Sequence, residues 1–175
     1  MSGVRRVIAG VSGSPGSLRA LRFAASLARV HDAALVPVLA WLPPGGDFAD
    51  RSHPSPVLRK VWKDAAWRRL WSAIELALGS VPDDLTVQPA VLRGEPGLVL
   101  TGAASQPGDV LVIGAGRRGA GRLVASRSSR YCLAHAHCPV LAVPPPALAR
   151  IGNGPRGWMF RHRRLDPELA ALRAD

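Results

Sequence analysis

The sequence predicts an α/β fold, a parallel sheet covered by helices on both faces. Strand-like and helix-like segments alternate along the 175 residues as β-α-β-α-β-α-β-α-β, the order that builds parallel sheets. Asp109 to Gly114, "DVLVIG", is a near-continuous apolar run, as a strand buried on both faces requires. Two glycine- and serine-rich turns follow the first and fourth strands, at the sheet edge where such folds bind ligands.

Each element has its own signal. Val4 to Val11 is a β-rich run. Ser14 then caps a helix with Pro15 at its first position, where a missing N–H costs nothing. Leu18, Leu21, Ala25 and Ala28 recur at helical spacing, with Phe23 and Leu27 widening the apolar face. Ala34 to Trp41 reads as a second buried strand, although Pro37 is awkward in a strand centre. After the loop "LPPGGDFADRSHPSP", Trp67, Trp71, Ile74 and Leu78 share one helix face, with Leu58 and Trp62 extending it. A tryptophan stripe at that spacing predicts core. Gly79 ends the helix. Leu85 to Leu92 is a third strand, and "RGEPG" turns the chain into a helix over 98–104. After Asp109 to Gly114 come a glycine- and arginine-rich loop, a helix over 128–136 and a last strand, "CPVLAV".

Length and composition bound the rest. The chain is expected to be one domain, residues 1–146, with a basic extension over 147–175. A domain of this size buries roughly 70% of the surface its unfolded chain exposes. Cys132 and Cys138 are too few for a disulfide framework. No leader segment is expected, and no stretch approaches the ~20 apolar residues of a membrane span. The expected location is cytoplasmic. A formal net charge of +11 raises the question of nucleic acid. Basic residues are spread along the whole chain, however, and Lys occurs only at positions 60 and 63. That pattern reads as a composition bias and not as a clustered basic face, so nucleic-acid binding is not expected.

The loop after the fourth strand carries the chemistry. Glycines let backbone N–H groups point inward, and a helix start adds unpaired donors and partial positive charge, so together they cradle anions. Gly114, Gly116, Gly119 and Gly121 supply the glycines; Ser126, Ser128 and Ser129 supply hydroxyls. No G-K-[ST] run is present, and "GVSGSPGS" fails as G-x-G-x-x-G. Arg117, Arg118, Arg122, Arg127 and Arg130 crowd the same helix start. An anion would relieve that crowding, since guanidinium forks match phosphate oxygens. His135, His137, Cys132 and Cys138 match no zinc spacing. "GVSGS" falls one glycine short of a hydrolase nucleophile elbow.

Over residues 4–144 the chain resembles the universal stress protein family of the adenine-nucleotide α-hydrolase-like fold, in an actinobacterial-type variant. The resemblance is carried by "VIAGVSGSPGSLRALRFAASLA", "RGEPG", "DVLVIGAGRRG" and "SRYCLAHAHCPVLAVP". It implies a doubly wound, Rossmann-like sheet of five parallel strands in the order 3-2-1-4-5. It also implies an adenine-nucleotide site, for ATP with Mg2+ accompanying it, formed by Val11, Ser12, Gly114, Gly116, Gly119, Ser126, Arg127, Ser128 and Ser129. Ser12 stands where family members usually have Asp, Arg117 where a second loop glycine is expected, and Ser126 and Arg127 where a late glycine and a small hydroxyl residue are expected. By the same resemblance the chain forms a homodimer through Val140, Leu141, Ala142 and Val143. It is then a nucleotide-binding regulator or sensor and not an enzyme; the alternative is a nucleotide-free dimeric interaction module. The resemblance does not cover the extension, where Trp158, Met159 and Phe160 lie among arginines.

Overall fold

The structure is a computed structural model that describes residues 3–46, 54–119, 122–124 and 126–144. The extension over 147–175 lies outside the described residues, as does Gly121. The elements follow in the order β1 (Arg6–Gly10), α1 (Pro15–His31), β2 (Ala34–Trp41), α2 (Pro56–Leu78), β3 (Ala90–Arg93), α3 (Pro96–Ala103) and β4 (Asp109–Gly114). A short hairpin comes next, β5 (Arg117–Gly119) and β6 (Arg122–Val124), and then α4 (Arg127–His135) and β7 (Val140–Val143). Five parallel strands form one sheet, β3-β2-β1-β4-β7, which in sequence order is 3-2-1-4-5. The antiparallel β5–β6 hairpin was not foreseen; its segment reads as loop because three residues per strand carry no periodicity.

Alternation along the strands divides the core in two. Val7 and Ala9 of β1, Leu35 and Leu39 of β2, and Val110 and Val112 of β4 face α1 and α2. Ile8, Val36, Val38, Leu111 and Ile113 face the other way, with Leu100 of α3 and Cys132 of α4. Burial on both faces explains why β4 is apolar without a break. Fully burying a single Leu or Ile contributes about 1.5–3 kcal/mol, so the two clusters dominate the stability of the fold.

Pro37 sits inside this sheet, fully buried and paired with Ala9. Its effect falls on the other side of β2. Leu35 N–H donates to the Thr86 carbonyl and the Leu35 carbonyl accepts from Gln88 N–H. In parallel register the next N–H toward that neighbour would come from residue 37, and proline has none. The ladder lapses accordingly, from an isolated bridge at Val87 until β3 begins at Ala90. The strand expected over Leu85 to Leu92 is therefore shorter and starts later.

Two helix faces differ from expectation. Phe23 does not widen the buried face of α1; it is 45% exposed. In α2 the buried stripe is Ala66, Leu70, Ala73, Ile74 and Ala77. The tryptophans sit beside it. Trp67 is partly buried against the core, while Trp71 is 45% exposed and stacks on Trp67 with ring centroids 6.5 Å apart. Leu58 is also exposed. The physical reason is close approach: α1 presents Ala20, Ala24 and Ala28, and the alanines of α2 let the helices pack where indoles would hold them apart. Arg22 of α1 then caps the end of α2, Nε donating to the Ala77 carbonyl and Nη2 to the Leu76 carbonyl, both at 2.8 Å.

Candidate functional site

The turn after β1 is built by hydroxyls. Ser14 is the N-cap of α1 in extended conformation, its Oγ accepting from Ser17 N–H at 3.2 Å. Ser17 Oγ donates to the Ser14 carbonyl at 2.9 Å and accepts from Ser12 N–H at 3.2 Å. Ser12 Oγ pairs with Ser14 Oγ at 3.1 Å. Gly13 takes a φ of +78°, a left-handed conformation that favours glycine.

The turn after β4 repeats the device. Gly116 has a φ of +87°, and after the hairpin Ser126 caps α4, accepting from Ser129 N–H at 3.0 Å. Ser129 Oγ donates to the Gly114 carbonyl at 2.9 Å, and the Ser126 and Ser129 hydroxyl oxygens are 2.7 Å apart. With the Ser129 proton committed to Gly114, the short contact is made by the Ser126 proton. Ser128 lies between them, and its hydroxyl has no partner among the described residues.

The two turns touch. A Cβ on Gly114 would lie 3.1 Å from the Gly16 carbonyl carbon and 3.2 Å from its oxygen. Glycine at 114 thus suits the close approach of the first turn of α1 to the end of β4, where a Cβ would press on the Gly16 backbone. Between the turns lies a cavity of about 840 Å³, within the range of small-molecule sites. Val38, Leu39 and Ala40 of β2, Leu100 of α3 and Ile113 of β4 make its apolar walls. Ser12, Ser14, Ser17, Ser126, Ser128 and Ser129 make its polar rim. The starts of α1, α3 and α4 border it through Pro15, Pro96 and Ser126. The positive ends of three helix dipoles therefore meet at the carboxyl edge of β1 and β4.

Of the residues expected from the sequence, Val11, Ser12, Gly114, Gly116, Ser126, Ser128 and Ser129 line this one cavity. Gly119 ends β5 and Arg127 is the exposed first residue of α4; neither is in the described lining. Arg69 of α2 does line it, although sequence reasoning missed it. No periodicity or motif separates Arg69 from Arg68 in "WRRLW".

The perturbed titrations lie away from this cavity. Asp109 and Arg6 are register partners at the opposite edge of the sheet. The Asp109 carboxylate accepts from Arg6 Nε at 2.8 Å and from Nη2 at 2.6 Å. Burial alone would raise its pKa, but the Arg6 hydrogen bonds, Gln106 N–H and the guanidinium charge outweigh burial and hold it below the ordinary value. The same pairing raises Arg6 against a smaller opposing effect of burial. Burial pushes the Cys132 and Cys138 thiols up, the direction that suppresses reactive thiolate. His135 stacks on Tyr131, with Nδ1 3.0 Å from the Tyr131 carbonyl. Among the described residues no group of three or more His, Cys, Asp or Glu could hold a metal ion. Nor is any described helix long and apolar enough to cross a membrane.

A five-stranded parallel sheet with a serine- and glycine-lined cavity at its switch point defines a Rossmann-like α/β protein with an anion-receptive site. The chain belongs to the universal stress protein family, whose pattern it matches over residues 3–144. It is similar in fold to the universal stress protein UspA from Lactobacillus plantarum, at 18% identity and a TM-score of 0.57, over 82% of this chain and 99% of that one. It is similar also to a universal stress protein solved in complex with cAMP, at 22% identity and a TM-score of 0.51, over 83% of this chain and 100% of that one. A universal stress protein from Archaeoglobus fulgidus aligns at 22% identity and a TM-score of 0.50, over 81% of this chain and 99% of that one. No match is found among the curated proteins.

Proposed function

We propose that the protein binds an adenine nucleotide, ATP, in the cavity between the two serine turns, and acts as a dimeric cytoplasmic regulator and not as an enzyme. The observation that carries this reading is the convergence of both turns on one cavity of about 840 Å³ with apolar walls toward β2 and hydroxyls toward α4. The walls suit a base, and the hydroxyls and helix start suit phosphate. That a relative of similar fold is described in complex with cAMP supports the choice of an adenine nucleotide. The described lining holds no carboxylate, so Mg2+ would be carried by the phosphates, with serine hydroxyls as the protein's own oxygen donors. The absence of a carboxylate acid or base from that lining supports binding without turnover. Dimerisation through Val140–Val143 is supported by β7 lying at the sheet edge with Leu141 38% exposed.

A second reading, a nucleotide-free interaction module, is favoured by one observation: the Ser126 and Ser129 hydroxyls are satisfied within the loop. Denaturing the purified protein, identifying any released nucleotide by mass spectrometry and titrating ATP into the stripped protein separates the two. Released adenine nucleotide or micromolar ATP affinity supports the first reading. Empty protein with no heat of binding sinks it.

A further inference from the structure

Every helix start at the cavity attracts negative charge, yet they are not its only cationic feature. Arg69 reaches the cavity from α2, and it is the one charged residue in the described lining. It has no hydrogen-bond or ion-pair partner among the described residues. The lining holds no carboxylate to neutralise it. Arg69 is exposed at the cavity, so its pull on an anion is screened by solvent and salt but is opposed by no neighbouring carboxylate of the described lining.

Its placement separates it from the serine loop. Arg69 belongs to α2, which packs on α1 and β2. Ser126, Ser128 and Ser129 belong to the start of α4, which follows β4 and packs on α3 and β7. With the sheet ordered β2-β1-β4, the cation and the hydroxyl cluster flank the β1 turn from opposite sides. One terminal phosphate group at the α4 start would leave Arg69 unanswered.

We propose that Arg69 is a specificity-determining residue that makes the cavity a two-anion site, selecting a nucleotide with a second phosphate on its ribose in addition to the 5′ phosphate. The proposal rests on the adenine-nucleotide part of the reading above and narrows its choice of nucleotide from ATP itself to an adenine nucleotide that also carries a ribose phosphate. The ribose hydroxyls are where a nucleotide can carry phosphate away from its 5′ chain, and the Arg fork suits phosphate oxygens.

The test uses the full chain, stripped of bound ligand, in metal-free buffer. Adenosine 3′,5′-bisphosphate and adenosine 5′-monophosphate are titrated calorimetrically into the wild type, Arg69→Gln and Arg69→Lys, with thermal melts checking that the variants fold. The expected result is a wild-type preference for the bisphosphate of about tenfold or more, the scale of one charge-assisted hydrogen bond. Arg69→Gln removes that preference, lowering the bisphosphate affinity by about tenfold more than the monophosphate affinity, and Arg69→Lys restores part of it. Equal wild-type affinities, or a preference that survives in Arg69→Gln, overturn this inference and leave the nucleotide reading standing. Failure of the wild type to bind either compound overturns this inference, and ATP titrated alongside decides the nucleotide reading: heat of ATP binding keeps it, none sinks it.

Discussion

Ser129 Oγ donates to the Gly114 carbonyl at 2.9 Å, tying the first turn of α4 to the last residue of β4. Ser129 is buried and also closes the contact with Ser126, so its hydroxyl holds the loop before any ligand arrives. Ser129→Ala leaves the part-buried Gly114 carbonyl without its hydroxyl partner and should lower stability by about 1 kcal/mol, read from denaturant midpoints. Ser128 makes the contrast: its hydroxyl has no partner among the described residues and lines the cavity. Ser128→Ala should leave the midpoint unmoved and weaken ATP binding by about three- to tenfold. Unchanged affinity there would mean that the Ser128 hydroxyl does not contact the nucleotide.

The Arg6–Asp109 pair sets an acid limit. Asp109 is buried, whereas the Arg6 side chain is 26% exposed, so breaking the pair belongs at the lower end of the cost for buried ion pairs. Asp109→Asn should destabilise by about 3 kcal/mol. The folded carboxyl lies below its ordinary 3.8. Its contribution is therefore complete above that value and is lost as pH falls through the folded one. Wild-type stability measured from pH 6 down to ~2 should drop through this window, with the Asn variant losing its part of the slope. Parallel curves for the two proteins would contradict the assignment.

Two glycines of α3 should respond with opposite signs. A Cβ at buried Gly97 would lie 2.8 Å from Tyr131 Cβ, Cγ and Cδ1, atoms near the base of that side chain with little room to move. Overpacking costs about 1–3 kcal/mol, more than the ~1 kcal/mol that Gly→Ala gains in a helix. Gly97→Ala should therefore destabilise. At Gly102 a Cβ meets nothing within 4 Å, and Gly102→Ala should stabilise by about 0.5–1 kcal/mol. Urea midpoints shifting the same way for both variants would rule out the α3–α4 contact as the cause.

Where local chemistry decides structure, the sequence was legible. Ser14-Pro15 and Gly79 bound helices because capping and left-handed backbone are local requirements. The apolar run of β4 marked a central strand because burial on both faces leaves no room for alternation. The face of α2 was misread because both the tryptophan stripe and the alanine stripe have helical spacing. Only the alanines of α1 choose between them. In the site, Gly114 and the serines were found by spacing along one loop. Arg69 was not, because its place in the cavity depends on how α2 lies over β2, a contact between segments about thirty residues apart.

Arg127 offers a test in which two effects pull apart. It is the first residue of α4, beside the Ser126 cap and exposed, and it is outside the described cavity lining. A cation at a helix start opposes the dipole, so Arg127→Glu should raise the melting temperature slightly, corresponding to about 0.3–1 kcal/mol. The same change reverses the charge close to the phosphate end of the cavity. Since Arg127 acts through space and not by lining the site, ATP affinity should fall about three- to tenfold at 0.01 M salt and by less at 0.15 M, where the Debye length shrinks to ~8 Å. A more stable protein with weaker, salt-sensitive binding would place the phosphates at the α4 start. A more stable protein with unchanged affinity would place them elsewhere.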